Sequence, residues 1–235
     1  MESKLVWLFS FVGIYWAYCL YWGIRGFIKA KTSADYFIAG RTIGVWVFVL
    51  AATATSFSGW TFVGHPGKVF TDGLPYAFAS FYALTIPFTG VLFLRRQWVL
   101  GQSFKYVTPG EMYSDTFGGD AMRILTVLVA FLFSVPYLGL QLRASGYLFN
   151  ILTDGMFSVE IGMFALSAIV VIYVASGGLR SVAYVDCVQC ILLALGIVIL
   201  GIIAINETGG WSGFTSGMAE FVKNDLASKN KLTPA

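Results

Sequence analysis

The segment Thr53-Ala-Thr-Ser-Phe-Ser-Gly-Trp-Thr-Phe-Val-Gly64 interrupts an apolar stretch that is otherwise long enough to cross a membrane. It carries five hydroxyl side chains, two glycines and a tryptophan. In hydrocarbon every backbone amide must be bonded within the protein, so polar and helix-weakening residues persist there mainly where they line a cavity or bind a ligand. The segment therefore predicts a membrane helix that is locally broken and functional.

The composition of the whole chain supports a location in the bilayer. Hydrophobic residues form 57% of the 235 residues and charged residues 11%, and the mean hydropathy is +0.76. An average soluble domain has about 25% charged residues. The net charge is only +3, and the basic residues are scattered between apolar segments, which argues against nucleic-acid binding.

Apolar stretches of about 20 residues are candidates for membrane helices. The chain contains six of them: Leu5–Ile28, Ile43–Val63, Leu74–Leu94, Ile124–Leu152, Val159–Ala175 and Val188–Ile205. They predict an all-α, polytopic membrane helix bundle. The residues after Asn206 predict a loop or surface segment.

The distribution of basic residues predicts the orientation of the bundle. Short cytoplasmic loops are enriched in Lys and Arg. With the N-terminus outside, the first, third and fifth connections are cytoplasmic and hold Arg25, Lys29, Lys31, Arg41, Arg95, Arg96, Lys105, Arg123 and Arg180. The other side keeps Lys4, Lys68, Lys223, Lys229 and Lys231. The N-terminus is therefore expected outside.

Two interpretations apply to the polar segment of the second span. Its hydroxyls can bond back to carbonyls one turn earlier, while its glycines allow close helix packing. Alternatively, the helix around Ser58, Gly59 and Trp60 is unwound, so that freed carbonyls coordinate a hard cation such as Na⁺ and free amides hold an anionic group.

Polar residues in the fourth and sixth spans add to this picture. Gln141 follows Tyr137 by four residues, so both lie on one helix face and are candidates to contact a solute. Asp186 stands at the predicted start of the sixth span, and acids at a membrane edge are costly and often mark ion pathways. The alternative for Asp186 is a carboxylate that stabilises the start of a helix, paired with Arg180.

Four pieces of sequence together fit one known family. They are Asp35-Tyr-Phe-Ile-Ala-Gly-Arg41, Ser58-Gly-Trp60, Pro66-Gly67 and Gly177-Gly-Leu-Arg-Ser-Val-Ala-Tyr-Val-Asp-Cys-Val-Gln189. In order and spacing they resemble the sodium:solute symporters, whose members include proline, pantothenate, monocarboxylate and sugar carriers. Sodium/proline symporters are the members they resemble most, and the resemblance runs through about residues 30–210.

The resemblance implies a fold of the LeuT type, in which a leading helix precedes two inverted repeats of five helices. Residues 1–30 would form the leading transmembrane helix, residues 31–205 the first five-helix repeat, and residues 206–235 an extracytoplasmic loop or tail. It further implies that Ala54 and Phe57 supply backbone carbonyls to sodium and that Asp186 lies on the cytoplasmic sodium route. The residues expected to face the solute are Ser58, Gly59, Trp60 and Tyr137.

The chain departs from the family pattern in two respects. Its predicted spans are used up by about residue 205, so the second repeat, which would supply the other half of a sodium site, is not in the sequence. Ser56 stands where sodium/proline symporters carry an aspartate, a change that bears on ion affinity. These departures predict the N-terminal half of a longer carrier, a half-length form that needs a partner subunit, or a protein that no longer transports.

The functional hypothesis is sodium-coupled secondary transport of a small organic solute, such as proline or a monocarboxylate, across a bacterial inner membrane. One alternative is the symporter-like sensory domain of a membrane histidine kinase, because Gly59-Trp-Thr-Phe62 resembles a sequence of such domains. Another is a non-transporting accessory subunit of a membrane complex. An enzyme is not expected, because the chain has one histidine and no constellation of a nucleophile with its base.

Overall fold

The computed structural model describes residues 2–228, and among these residues helices form the whole regular structure, without a strand. The α-helices are α1 (Glu2–Lys29), α2 (Ser33–Ile38), α3 (Val45–Ser56), α4 (His65–Asp72), α5 (Thr85–Phe104), α6 (Pro109–Phe117), α7 (Ala121–Leu152), α8 (Val159–Glu207) and α9 (Gly210–Ser228). A π-helical turn covers Trp60–Gly64, and 3-10 segments cover Ala39–Arg41 and Leu74–Leu84. The predicted all-helical class is confirmed.

The helix α8 reverses direction at Gly178, which has φ 60° and ψ −159°. On the first arm, residues 159–177, Tyr173 packs beside Gly23 of α1 and Gly177 beside Gly26, so the arm runs in the direction of α1. On the second arm, residues 179–207, contacts with α1 follow the opposite order. Ser181 bonds to Trp22, Tyr184 to Tyr18 and Gln189 to Tyr15. The two arms therefore form a hairpin around α1.

The centre of the molecule lies in the contact between α1 and this hairpin. Cys19, Tyr173 and Val185 are its buried apolar residues. Trp22 of α1 stacks on Tyr184 with ring centroids 4.1 Å apart and planes 4° from parallel, a geometry that contributes about 0.5–1.5 kcal/mol beyond area burial. Small residues allow the helices to approach closely, as is usual between membrane helices.

The number of helices that could cross a membrane differs from the sequence prediction. Among the described residues, α1, α7 and α8 are long and apolar enough, and the pair Ser33–Arg41 and Val45–Ser56 makes a fourth if this pair, bent by 108°, is one span. The sequence predicts six spans. The predicted fifth and sixth spans lie on the two arms of α8, on either side of the non-helical Gly178, so α8 counts once as a helix although it has two arms.

Two further segments differ from expectation. The predicted third span is a 3-10 segment followed by α5, and α5 carries Arg95 and Arg96, which lower its hydropathy. The segment after Asn206, expected as a loop or surface segment, contains the helix α9 over Gly210–Ser228. The tail lysines Lys229 and Lys231 lie outside the described residues.

Candidate functional site

The predicted break in the second span is present. The helix α3 ends at Ser56, and Phe57 is extended with φ −85° and ψ 128°. The chain then re-enters helical geometry through Gly59 and the π-helical turn Trp60–Gly64. Such π turns occur often at functional sites.

The hydrogen bonds around the break explain how it is kept open. In a continuous helix the Ser58 and Gly59 amides would bond to carbonyls four residues earlier. Here the Ser58 N–H donates to the Thr61 hydroxyl at 3.3 Å, and the Gly59 N–H donates to Oε1 of Gln141 at 2.5 Å. Both amides have hydrogen-bond acceptors outside the preceding helical turn. The helix can therefore end at Ser56 without leaving these amides unpaired.

The hydroxyls before the break follow the other interpretation. Thr53, Thr55 and Ser56 each donate to the carbonyl four residues earlier, at 2.8, 2.9 and 3.1 Å. Side-chain bonds of this kind satisfy the hydroxyl hydrogen and leave the oxygen lone pairs available. Back-bonding hydroxyls are therefore seen in α3, and the unwound backbone of the other interpretation is seen at residues 57–59.

The atoms at the break suit a hard cation better than a transition metal. The Ala54 carbonyl accepts the Phe57 N–H at 3.0 Å, and the amide that would reach the Thr55 carbonyl is bonded to Gln141 instead. Carbonyl and hydroxyl oxygens are the ligands of hard cations such as Na⁺. Residues 2–228 contain no group of three or more His, Cys, Asp or Glu side chains that could hold a metal. The break therefore offers oxygen donors, and the Ala54 carbonyl among them also accepts the Phe57 amide.

Asp186 approaches the break from α8. It is 9% exposed, and its carboxyl group lies near the hydroxyl of Thr55, which donates to the Ala51 carbonyl. It lies two turns after the reversal at Gly178, inside the second arm and not at a helix start. The alternative pairing with Arg180 is wrong, because Arg180 bonds to the Ala39 carbonyl and to Thr42.

The other predicted residues lie around the break in different ways. Gln141 contacts it directly, and a Cβ on Gly59 would lie 2.6 Å from the Ala144 Cβ, so α7 and the break are in close contact. Trp60 is 41% exposed and meets Tyr76 edge to face. Tyr137 stacks on Phe133 of its own helix and is 43% exposed. Gln141 is thus hydrogen-bonded to the break, whereas the aromatic contact of Tyr137 is with its own helix.

The short helix after the break ends in an ion pair that the sequence did not single out. Lys68 Nζ lies 3.0 Å from Asp72 Oδ2. The hydrogen bond from Lys68 holds the pKa of Asp72 below its ordinary value, and the same bond raises the pKa of Lys68. Because the folded-state pKa of Asp72 is depressed, the contribution of this pair is present near neutral pH and is lost as the pH falls through that pKa. The i, i+4 spacing was the available signal.

The Tyr15–Gln189 hydrogen bond between α1 and α8 is a further polar contact missed from the sequence. Gln189 was visible as a polar residue of an apolar helix, but its partner is 174 residues away along the chain. Only the hairpin of α8 around α1 brings the two together.

The fold and the break define the class of protein: a helical membrane protein with a broken helix among its candidate spans. The sequence profile described as the sodium:solute symporter family matches residues 36–234. The chain belongs to the sodium:solute symporter family. It is therefore an integral membrane protein of a transporter family and not an enzyme.

Named relatives agree with this assignment. The chain is 27% identical over 205 residues to the osmoregulated proline transporter OpuE of Bacillus subtilis, covering 85% of the chain and 41% of the relative. It is 30% identical over 198 residues to the sodium/proline symporter of Escherichia coli, covering 79% and 38%. It is 28% identical over 209 residues to solute carrier family 5 member 4B of Mus musculus, covering 88% and 31%.

The matches are partial in length. The chain spans roughly two fifths of the length of the bacterial relatives and less of the mouse relative. No solved structure matches the chain.

Proposed function

We propose that this chain provides the N-terminal part of a sodium-coupled secondary transporter for a small organic solute, with proline as the first candidate. The observation that carries the proposal is the break between Ser56 and Trp60, which has its Gly59 amide bonded to α7 and its flanking Thr55 against the buried Asp186 of α8. Several relatives are proline transporters.

In this proposal sodium is a transported substrate. The carbonyls of Ala54 and Phe57 bind it at the break, and Asp186 lies on its route to the cytoplasm. Sodium fixes the unwound segment in the shape that accepts the solute, so each ligand raises the affinity for the other. Such coupling between two sites is typically worth about 1–3 kcal/mol.

The solute binds beside the ion. Ser58, Gly59 and Trp60 face it from the break, and Tyr137 from α7. Gln141 belongs to the same set and reaches the solute only by releasing the Gly59 amide that it holds in this structure. The bond to Gln141 then competes with solute binding.

The proposed arrangement in the membrane is that of the LeuT type. Residues 1–30 form the leading helix, residues 31–205 form the first repeat, and a second repeat, in the same polypeptide or in a partner subunit, completes the site. The membrane is a bacterial plasma membrane with the N-terminus outside. The scattered basic residues of the odd-numbered connections support this orientation.

The test is uptake of radiolabelled proline into membrane vesicles from cells that express the native gene product. An inward sodium gradient should drive uptake, and Ser58→Cys and Asp186→Asn should each lower it by about tenfold or more, a loss of about 1.4 kcal/mol of coupling or binding. Ser103→Cys and Asp120→Asn are the matched controls, because both residues are exposed and lie away from the break. Uptake that depends neither on sodium nor on the two site substitutions would contradict the proposal.

A further inference from the structure

The connection between α2 and α3 is a sharp elbow with unusual backbone geometry. Ala39, Gly40 and Arg41 have φ angles of 52°, 60° and 57°. Two of these residues are not glycine, and such residues adopt positive φ only when the surroundings compensate the strain. The helical segments on either side meet at an angle of 108°. Something must therefore hold this elbow in place.

Two carbonyls beside the reversal of α8 at Gly178 accept a hydrogen bond from outside the helix. In a continuous helix the Val174 and Ala175 carbonyls would accept the amides of residues 178 and 179. The Tyr36 hydroxyl of α2 lies 3.2 and 3.1 Å from these two carbonyls and donates to them. Tyr36, next to the elbow, thus provides a hydrogen-bond donor at the end of the first arm of α8.

The second arm of α8 satisfies the elbow in return. Arg180 Nη2 donates to the Ala39 carbonyl at 3.0 Å and to the Thr42 hydroxyl at 2.8 Å. Hydrogen bonds from a guanidinium are stronger than neutral ones. The Arg180 guanidinium therefore stabilises the elbow at Ala39, a residue whose positive φ is unfavourable.

The backbone of α2 at Tyr36 is also in direct contact with the reversal of α8 at Gly178. A Cβ on Gly178 would lie 2.5 Å from the Tyr36 carbonyl oxygen, so only glycine fits at the reversal. Each segment therefore donates a hydrogen bond to the other, from the Tyr36 hydroxyl to carbonyls of α8 and from the Arg180 guanidinium to the strained elbow. Glycine at position 178 leaves the space for this contact.

We infer that residues 36–42 and 174–180 form a single joint, in which Arg180 and Tyr36 are positioning residues for the broken helix. The joint fixes the start of α3, which carries the break, to the start of the second arm of α8, which carries Asp186. The two helices then keep their register at the candidate site and move there as one body. The effect on uptake rests on the proposed function, whereas the joint itself does not.

Hydrogen exchange of the purified full chain in detergent micelles, read by mass spectrometry, tests the joint directly. Arg180→Gln should raise exchange about tenfold or more in peptides covering 39–44 and also in peptides covering 174–180, because loss of a charged hydrogen bond loosens both partners. Thr42→Val should do the same, and Thr42→Ser, which keeps the hydroxyl, should exchange like the wild type. Arg25→Gln is the matched control, since Arg25 is an exposed arginine stacked on Tyr21 of its own helix.

The outcomes separate this inference from the proposed function. Faster exchange confined to peptides around residue 180, or equal behaviour of Thr42→Val and Thr42→Ser, overturns the joint. In vesicles, Arg180→Gln and Thr42→Val should lower the maximal rate of sodium-driven proline uptake more than they raise its KM, because neither residue faces the solute. Absence of sodium-driven uptake in the wild type contradicts the proposed function, whereas the exchange rates at the joint do not depend on transport.

Discussion

Gly59 is the residue on which the break between α3 and α4 depends. Its amide donates to Gln141, and a side chain at this position would collide with Ala144 of α7. A polar side chain that accepts an amide in an apolar setting removes the cost of leaving that amide unpaired. One glutamine therefore accounts for a helix end inside a predicted membrane span.

Gln141→Leu should destabilise the protein by about 1–3 kcal/mol, because the Gly59 N–H loses its acceptor and leucine offers none. Gln141→Glu, which keeps an acceptor oxygen, should lose less. Thermal unfolding in detergent micelles measures the difference. Gln97→Leu on exposed α5 is the matched control and should unfold like the wild type. Equal stability of Gln141→Leu and the control would show that the bond does not hold the break.

At the scale of elements, the reversal within α8 decides how the polar residues meet. The first arm runs with α1 and the second runs against it, so Asp186 and Gln189 return along α1 towards the middle of the molecule. Gly178 makes this possible, since its φ of 60° with ψ of −159° lies in a region that is essentially limited to glycine.

Gly178→Ala should therefore cost about 1–3 kcal/mol or more, from backbone strain together with the collision against the Tyr36 carbonyl. The matched control is Gly201→Ala on the same helix, where a Cβ meets nothing within 4 Å. Alanine there should be neutral or stabilising by up to about 1 kcal/mol, because glycine is a poor helix former. Midpoints of thermal unfolding of the two variants give the comparison, and equal midpoints would contradict the assigned role of Gly178.

At the scale of the whole molecule, α1 is packed against both arms of the α8 hairpin, whereas the apolar side chains between residues 124 and 140 of α7 are largely exposed. An outward apolar surface is expected for helices in lipid. Close approach of α1 to the hairpin depends on small residues: a Cβ on Gly26 would lie 2.6 Å from the Gly177 carbonyl oxygen and 2.7 Å from its Cα. The neighbour is backbone, so it cannot rotate away.

Gly26→Leu should separate α1 from the hairpin, with a loss of about 1–3 kcal/mol or more from overpacking. Gly13→Leu on the same helix is the control, because a Cβ there meets nothing within 4 Å. Maleimide labelling of Cys19, which is fully buried between these helices, reports the separation and is resolved from other cysteines by mass spectrometry. Labelling of Cys19 that is equally slow in both variants would mean that α1 tolerates a larger residue at position 26.

The sequence by itself determined the membrane class, the position of the broken helix and the family. These properties depend on local composition and on short motifs. The hydroxyl-rich segment around Gly59 can be recognised without knowing which residues contact it. The tertiary structure decided which residues use that segment. Gln141 reaches Gly59 across 82 residues, Tyr36 reaches Ala175 across 139, and Arg180 bonds to the elbow at Ala39 and not to Asp186, its partner in the alternative interpretation. Such pairings depend on the packing of distant helices, because the direction of a helix after a break is set by what it packs against and not by its own residues. The broken helix could thus be predicted from the sequence, whereas the groups that stabilise the break are brought to it by tertiary packing.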